Sequence, residues 1–342
     1  MAPTAVYYHP RFLDHDTGQH PESAERLVVC RRVLLAADLG LEWVEPRPAP
    51  LTDIEWVHDP RYVQELRLFA ERGGGYLDAD TVVSPASYEA AVLAAGAGVD
   101  AVDRACAGTG PAFLLARPPG HHALRRRGMG FCLFNTIAVA AAHALEVCGL
   151  QRVLIVDWDV HHGNGTQDAF YDDPRVLFIS LHQHHHYPGT GHVDEVGVGA
   201  GAGYTVNVPL PVGAGDGAVA AVFETLVKPL LRAYRPQLLL ASCGFDSIAG
   251  DPLGDLRMSC EAYRWMASRL VALGREVAAV GPVCTLEGGY DPPLLADAVV
   301  ATLEGLRGDP VPVPGQPARL EDAVAVAATR HALASHWGGV LG

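Results

Sequence analysis

No run of apolar residues in this 342-residue chain approaches the length of a bilayer span, and the first ten residues hold no long apolar segment. That excludes a membrane-spanning helix and sets a cytoplasmic location as the expectation. Positive charge is scarce: 25 Lys and Arg stand against 39 Asp and Glu, a formal net charge of −14. So acidic a chain is poorly suited to nucleic acid and favours cationic substrates such as polyamines or lysine-bearing peptides. Arg125, Arg126 and Arg127 run against that balance, but three basic residues in a row read as a solvated loop. The seven cysteines are odd in number and include no Cys-x-x-Cys pair, which argues against a disulfide framework. Cys132, Cys243 and Cys284 fall in apolar or motif segments and read as buried thiols. No linker, repeat or low-complexity tract divides the chain. Residues 1–342, 49% hydrophobic, therefore read as one domain with motifs over about 20–290 and C-terminal helices over about 291–340.

What the chain does contain is an alternation of strands and helices. Strands are predicted near 4–8, 112–116, 152–157, 175–181, 237–242 and 280–286. Helical patterns lie near 52–72, 86–107, 133–148, 216–234, 258–274 and 291–307. The Ala- and Gly-rich stretches at 90–110 and 197–217 read as a helix and a loop. Such an order gives an α/β fold whose central sheet is mainly parallel, with helices on both faces.

Four chemically dense segments each follow an apolar strand. In Asp157-Trp158-Asp159-Val160-His161-His162-Gly163-Asn164-Gly165, an extended backbone would point Asp157, Asp159 and His161 to one face. Two carboxylates and an imidazole on one side of a buried strand need a cation or hydrogen-bond partners. Asp246 stands just past the strand ending near Cys243, and strand carboxyl ends in a parallel sheet converge on one crevice. Asp159, His161 and Asp246 thus read as an oxygen/nitrogen ligand set with positions open for water and substrate, which suits catalytic Zn²⁺, or Fe²⁺ in its place. A turn cap before Ser247 is the other reading of Asp246.

In Arg117-Pro118-Pro119-Gly120-His121-His122, a rigid loop places two imidazoles at the same crevice, with Asp157 the candidate partner for His121 and Asn164 a weaker one for His122. A surface loop is the alternative for that pair. Leu286-Glu287-Gly288-Gly289-Tyr290 brings a phenol to the crevice rim on two glycines, where its hydroxyl can donate to a developing oxyanion. His182 and His184 to His186, with no acid interleaved, read as a rim loop and not as a second metal site.

Together these segments resemble the histone deacetylase superfamily, zinc-dependent amidohydrolases of the arginase/deacetylase fold, and its bacterial class II-like members in particular. The runs 117–122, 130–135 (Gly130-Phe131-Cys132-Leu133-Phe134-Asn135), 157–165, 180–182, 187–191, 246–252 and 287–290 carry the resemblance, in family order. It implies a single-domain three-layer fold and hydrolysis of an N-acetyl or other N-acyl amide to acetate and a free amine. The metal ligands would be Asp159, His161 and Asp246. His121, His122, Tyr290 and Asp157 would be catalytic, with either histidine as the general base.

The resemblance also implies a channel walled by Phe131 and Tyr187, the family usually having Phe at the second position. Gly130 would offer its carbonyl to the substrate amide, Leu253 would lie at the rim, Gly289 would approach the substrate, and Asp80 would stand at the mouth. Arg26 would line an internal acetate-release cavity, and Asn164 would support the site. Structural K⁺ or Na⁺ would bind at Asp157, Asp159, His161, Ser180 and Leu181, and near Phe170, Asp173, Val176 and Tyr204. The partner would be a small-molecule or peptide acyl-amine. An acetylpolyamine amidohydrolase shares the chemistry but is expected to have a longer loop than the chain has near 73–85. An arginase-like ureohydrolase would need a second metal, and a non-catalytic acyl-lysine reader would not need Tyr290.

Overall fold

A computed structural model describes residues 3–315 and 317–342. Ten strands follow in chain order: β1 (Ala5–Tyr7), β2 (Glu42–Val44), β3 (Gly75–Tyr76), β4 (Val82–Val83), β5 (Ala112–Leu114), β6 (Val153–Asp157), β7 (Val176–Gln183), β8 (Thr205–Leu210), β9 (Leu238–Cys243) and β10 (Val280–Leu286). Eight form one sheet in the order β2-β1-β5-β10-β9-β6-β7-β8, and every pairing in it is parallel. β3 and β4 make a separate antiparallel ribbon. Every residue of β5, β6, β7 and β9 is buried, as expected when helices cover both faces of a parallel sheet. Ser87–Cys106 and Thr136–Glu146 pack together in one helical layer; Ala24–Ala36, Cys260–Val277 and Pro292–Leu306 pack in the other.

Register places the functional strand ends side by side. Asp157 of β6 pairs with Ser242 of β9 and Ser180 of β7, and Leu286 of β10 pairs with Cys243 of β9. β5, β10, β9 and β6 are consecutive neighbours, so the loops at 117–122, 287–290, 244–251 and 158–165 leave the same edge of the sheet.

Three expectations are corrected. Residues 197–217 are not all loop: Thr205–Leu210 is β8, the sheet's edge strand, where Pro209 can sit without a ladder N–H. The helix expected over 52–72 is two, Leu51–Val57 and Pro60–Glu71, because Asp59 caps the second through Arg61 N (3.0 Å) and Pro60 opens it. Over 216–234 the helix widens at Phe223–Val227, just before Pro229, which has no N–H to give to the preceding turn.

Candidate active site

β6 ends at Asp157, and the chain beyond it does not stay extended as simple alternation predicts. Asp157 Oδ1 accepts the Asp159 N–H (3.1 Å), and Asp159 Oδ1 accepts the His161 N–H (2.9 Å). Two successive side-chain-to-backbone turns, not strand alternation, therefore carry Asp159 and His161 to the crevice. Asp246 reaches them from the end of β9, where its Oδ1 accepts the Val160 N–H (2.9 Å).

Asp159, His161 and Asp246 are buried, and their ligand atoms all lie within 4.8 Å of one another. His161 Nδ1 is 3.0 Å from Asp159 Oδ1 and 3.2 Å from Asp246 Oδ2. Tetrahedral coordination at about 2.0–2.2 Å would space donor atoms by about 3.3–3.6 Å, so the set is close to the geometry of a divalent ion's ligands. Asp246 Oδ2 is buried without a hydrogen-bond partner, an orphaned acceptor that a cation would satisfy. Room is kept around it: a Cβ on Gly288 would fall 1.9 Å from Asp246 Oδ2, and one on Gly244 would fall 2.1 Å from Asp159 Oδ2. Burial, then repulsion from Asp159, pushes the Asp246 carboxyl up to about 7. Burial opposes the His161 imidazolium, but the adjoining carboxylates of Asp159 and Asp246 raise it to about 9.

The paired histidines come from the loop after β5 and meet different partners. His121 Nδ1 lies 3.0 Å from Asp157 Oδ2; His122 Nδ1 lies 2.7 Å from Asn164 Oδ1. Their ring centroids are 4.0 Å apart. Burial disfavours a charged His121, yet the carboxylates of Asp159 and Asp157 overcome it and raise the group to about 10. His122 is held well below the ordinary histidine range by burial, then by His121 and His161. The two environments push the pair apart, so one imidazole holds a proton while its neighbour is free to take one.

Tyr290 is aimed by two residues behind it. Asp251 Oδ2 accepts its N–H (2.6 Å), and Arg26 donates to Gly289 O (2.6 Å) and Glu287 O (2.5 Å), its guanidinium carbon lying 4.9 Å from the Tyr290 ring centroid. Burial raises the phenol well above its usual value, so the hydroxyl remains a donor. Arg26 is itself buried and braced by Glu22, which also takes Arg117 Nη2 (2.7 Å). Glu287 Oε2 accepts the N–H groups of Gly120 (2.7 Å) and His121 (3.1 Å), tying the β10 loop to the β5 loop.

A cavity of about 220 Å³ leads from this floor to solvent. His122, His161 and Tyr290 form its base, Gly130, Phe131 and Tyr187 its walls, and Asp80, Leu253 and His186 its mouth. Gly130 (φ +55°) must be glycine: a Cβ there would fall 2.5 Å from the His122 ring. Phe131, itself left-handed at φ 68°, is anchored by its N–H on Thr81 Oγ1 (3.1 Å) and stands edge-on to Tyr290. His20 packs against Phe131 and contacts Asp80 O (3.0 Å), linking the mouth ribbon to the wall.

Not every expected position is at the cavity. Gly289 lies behind its wall, carbonyl turned to Arg26, and is not among the lining residues. His182 is no rim residue: it is a buried member of β7, held by Ser180 Oγ (2.9 Å) and Gly191 O (2.9 Å). His186, read as part of a rim loop, does line the cavity, where it stacks on His161 at 4.8 Å and contacts Leu253 O (2.8 Å). Glu22, Asp251 and Glu287 were assigned no role from sequence, since their partners lie far along the chain. Ser180 and Leu181 lie on β7 beside Asp157, while Asp173 N donates to Phe170 O (3.1 Å), Val176 N to Asp173 O (3.3 Å) and Phe178 N to Tyr204 O (2.9 Å).

Comparisons with known proteins agree with this geometry. Residues 20–306 match the histone deacetylase domain. A histone deacetylase-like amidohydrolase of Pseudomonas aeruginosa is 39% identical over 296 residues, covering 85% of this chain and 77% of that protein. Human polyamine deacetylase HDAC10 is 39% identical over 359 residues, covering 98% of this chain and 53% of that protein. The crystal structure of the HDA15 HD domain superposes with a TM-score of 0.92 at 34% identity, covering 99% of this chain and 96% of that one. The chain belongs to the histone deacetylase family, and its α/β architecture is that family's fold.

Proposed function

We propose that this protein hydrolyses an N-acetyl amide of a lysine side chain or a similar acylated amine, releasing acetate and the free amine, and that the metal is Zn²⁺. Asp159, His161 and Asp246 would hold the ion, which supplies Lewis-acid polarisation of the carbonyl and a water that is acidic near neutral pH. The observation that carries the reading is the meeting of this ligand set with His121, His122 and Tyr290 around one cavity.

The chain's own groups divide the remaining work. His122, neutral and lining the cavity, takes the proton of the attacking water. The proton His122 has taken then passes to the departing amine, while His121, kept charged by Asp157 and Asp159, steadies the developing negative charge. Tyr290 donates its hydroxyl hydrogen bond to the oxyanion. Phe131 and Tyr187 hold a slender acyl chain, and Gly130 O receives the amide N–H. Arg26 acts by positioning Tyr290. K⁺ or Na⁺ would be structural, near Ser180 and Leu181 and near Tyr204. A cytoplasmic setting agrees with seven free thiols.

An acetylpolyamine is the second reading, favoured by the likeness to the human polyamine deacetylase and by the carboxyl of Asp80 at the mouth. Parallel assays on acetyl-lysine peptides and N-acetylpolyamines decide between them. A higher kcat/KM on the peptides supports the first; no turnover of either would overturn the deacetylase reading.

A further inference from the structure

Far from the crevice, a second group of ligand-type side chains collects where two helices end. Ser87–Cys106 and Thr136–Glu146 pack together, and their C-terminal ends lead into the starts of β5 and β6, at the sheet edge opposite the catalytic strand ends. Asp103, His143 and Cys148 each offer a ligand atom there, all within 4.8 Å of one another. His143 Nε2 is 2.9 Å from Asp103 Oδ1, and Cys148 Sγ is 3.8 Å from the same oxygen. Cys106, one turn beyond Asp103, puts a second thiol beside Cys148.

We propose that Asp103, Cys106, His143 and Cys148 form a second cation site, structural and thiolate-containing, for a zinc-class divalent ion. Asp103, His143 and Cys148 stand at ligand spacing, and Cys106, beside Cys148 but outside that group, would turn in to complete a set of two thiolates, an imidazole and a carboxylate of the kind that closes a tetrahedral structural site. The fifth residue strengthens the case: Asp53, buried, lies 2.7 Å from His143 Nδ1, the carboxylate–histidine arrangement that orients a metal-binding imidazole and leaves Nε2 for the ion. Two helix C-termini also converge there, and their partial negative charge favours a cation. Hydrogen bonding to Asp53 and Asp103 would account for His143 but not for two thiols gathered beside a carboxylate. On binding, Cys106 and Cys148 each release a proton to solvent, while His143 coordinates as the neutral imidazole.

Co²⁺ titration of the full chain tests this independently of the deacetylase reading, because only thiolate ligands give the intense sulfur-to-cobalt charge-transfer band and the catalytic set has none. The wild type should show the band. Cys106→Ser and Cys148→Ser should each cut it by about half, as one of two thiolate ligands is removed, and the double variant should abolish it. Asp246→Ala should keep it. Both cysteine variants should retain wild-type deacetylase turnover, which shows them folded. Absence of the band in the wild type, or its survival in the double variant, overturns the site.

Discussion

The floor and the mouth of the cavity are built in different ways. At the floor the acids are clamped: Asp157 takes Asp159 N and His121, Asp159 takes His161 N and Gly288 N, and Glu287 takes two backbone N–H groups of the histidine loop. Glycines 244 and 288 leave these carboxylates no space for an added methyl. At the mouth Tyr187 is 37% exposed, and Asp80 sits half-buried on a two-residue-strand ribbon, its carboxyl raised by burial and then by Asp78. The floor is held mostly by hydrogen bonds to backbone, so it has few alternative arrangements. The mouth is held by ring contacts and short turns, so one side chain can alter recognition while the reacting groups stay in place.

The sharpest test of that division is Asp246→Ala. It removes a proposed ligand that no neighbour replaces, and turnover should fall by about a thousandfold or more, the loss of several kcal/mol of transition-state stabilisation. Added Zn²⁺ should not restore it, while circular dichroism should show the fold intact. Near-normal turnover and metal content without added Zn²⁺ would mean that Asp246 only caps the turn before Ser247. Tyr290→Phe comes next. Ring, loop and metal set survive, so kcat should drop by about two to three powers of ten with a much smaller change in KM. A rise in KM at near-normal kcat would move Tyr290 from the floor's chemistry to the mouth's recognition.

Much of the floor was legible in the sequence because its ligands follow apolar strands, and strand ends of a parallel sheet converge. The means were not legible: Asp159 and His161 get there through turns that an alternation rule misses. Less visible still were the groups that aim the catalytic residues. Arg26 lies on a helix whose buried face mixes a guanidinium with Leu27, Val29 and Cys30, which blurs the apolar period. Its partners, Glu287 O and Gly289 O, stand more than 250 residues away. Glu22 and Arg117 neutralise each other across 95 positions of the chain. β8 was hidden because glycines crowd the residues just before it. Local pattern finds residues that do chemistry by type; it does not find those whose task is to hold another backbone.

A support behind the floor gives a pH-dependent effect. His58 is buried, with Nδ1 3.0 Å from Leu124 O and Nε2 accepting the Asn135 N–H (2.8 Å). Burial lowers it to about 4 from an ordinary value of 6.5. Below pH 6.5 the unfolded chain takes up a proton that the folded chain refuses, so this stability is present above 6.5 and is lost as pH falls toward 4. The full difference is about 3 kcal/mol. His58→Gln cannot titrate, so the wild type's stability advantage over it should shrink by that order between pH 7 and pH 4 in urea unfolding. A gap constant with pH would mean that the fold leaves His58 at its ordinary value.

The smallest expected effect belongs to the mouth. Tyr187→Phe deletes one hydroxyl and keeps the ring that stands edge-on to His122 (5.1 Å) and His161 (6.1 Å). Burial holds that phenol well above its usual value, so the hydroxyl is a neutral donor and not a proton carrier. Its loss removes at most one hydrogen bond to substrate, about 0.5–1.5 kcal/mol, and should appear as a change in KM of about two- to tenfold. The ratio of kcat/KM between an acetyl-lysine peptide and an N-acetylpolyamine should shift with it, since only the wall facing the substrate has changed. kcat itself should stay within about twofold, because the ring still covers the histidines and no clamped carboxylate is touched. A hundredfold fall in kcat would place the Tyr187 hydroxyl among the reacting groups, and the boundary between floor and mouth would have to be drawn above it.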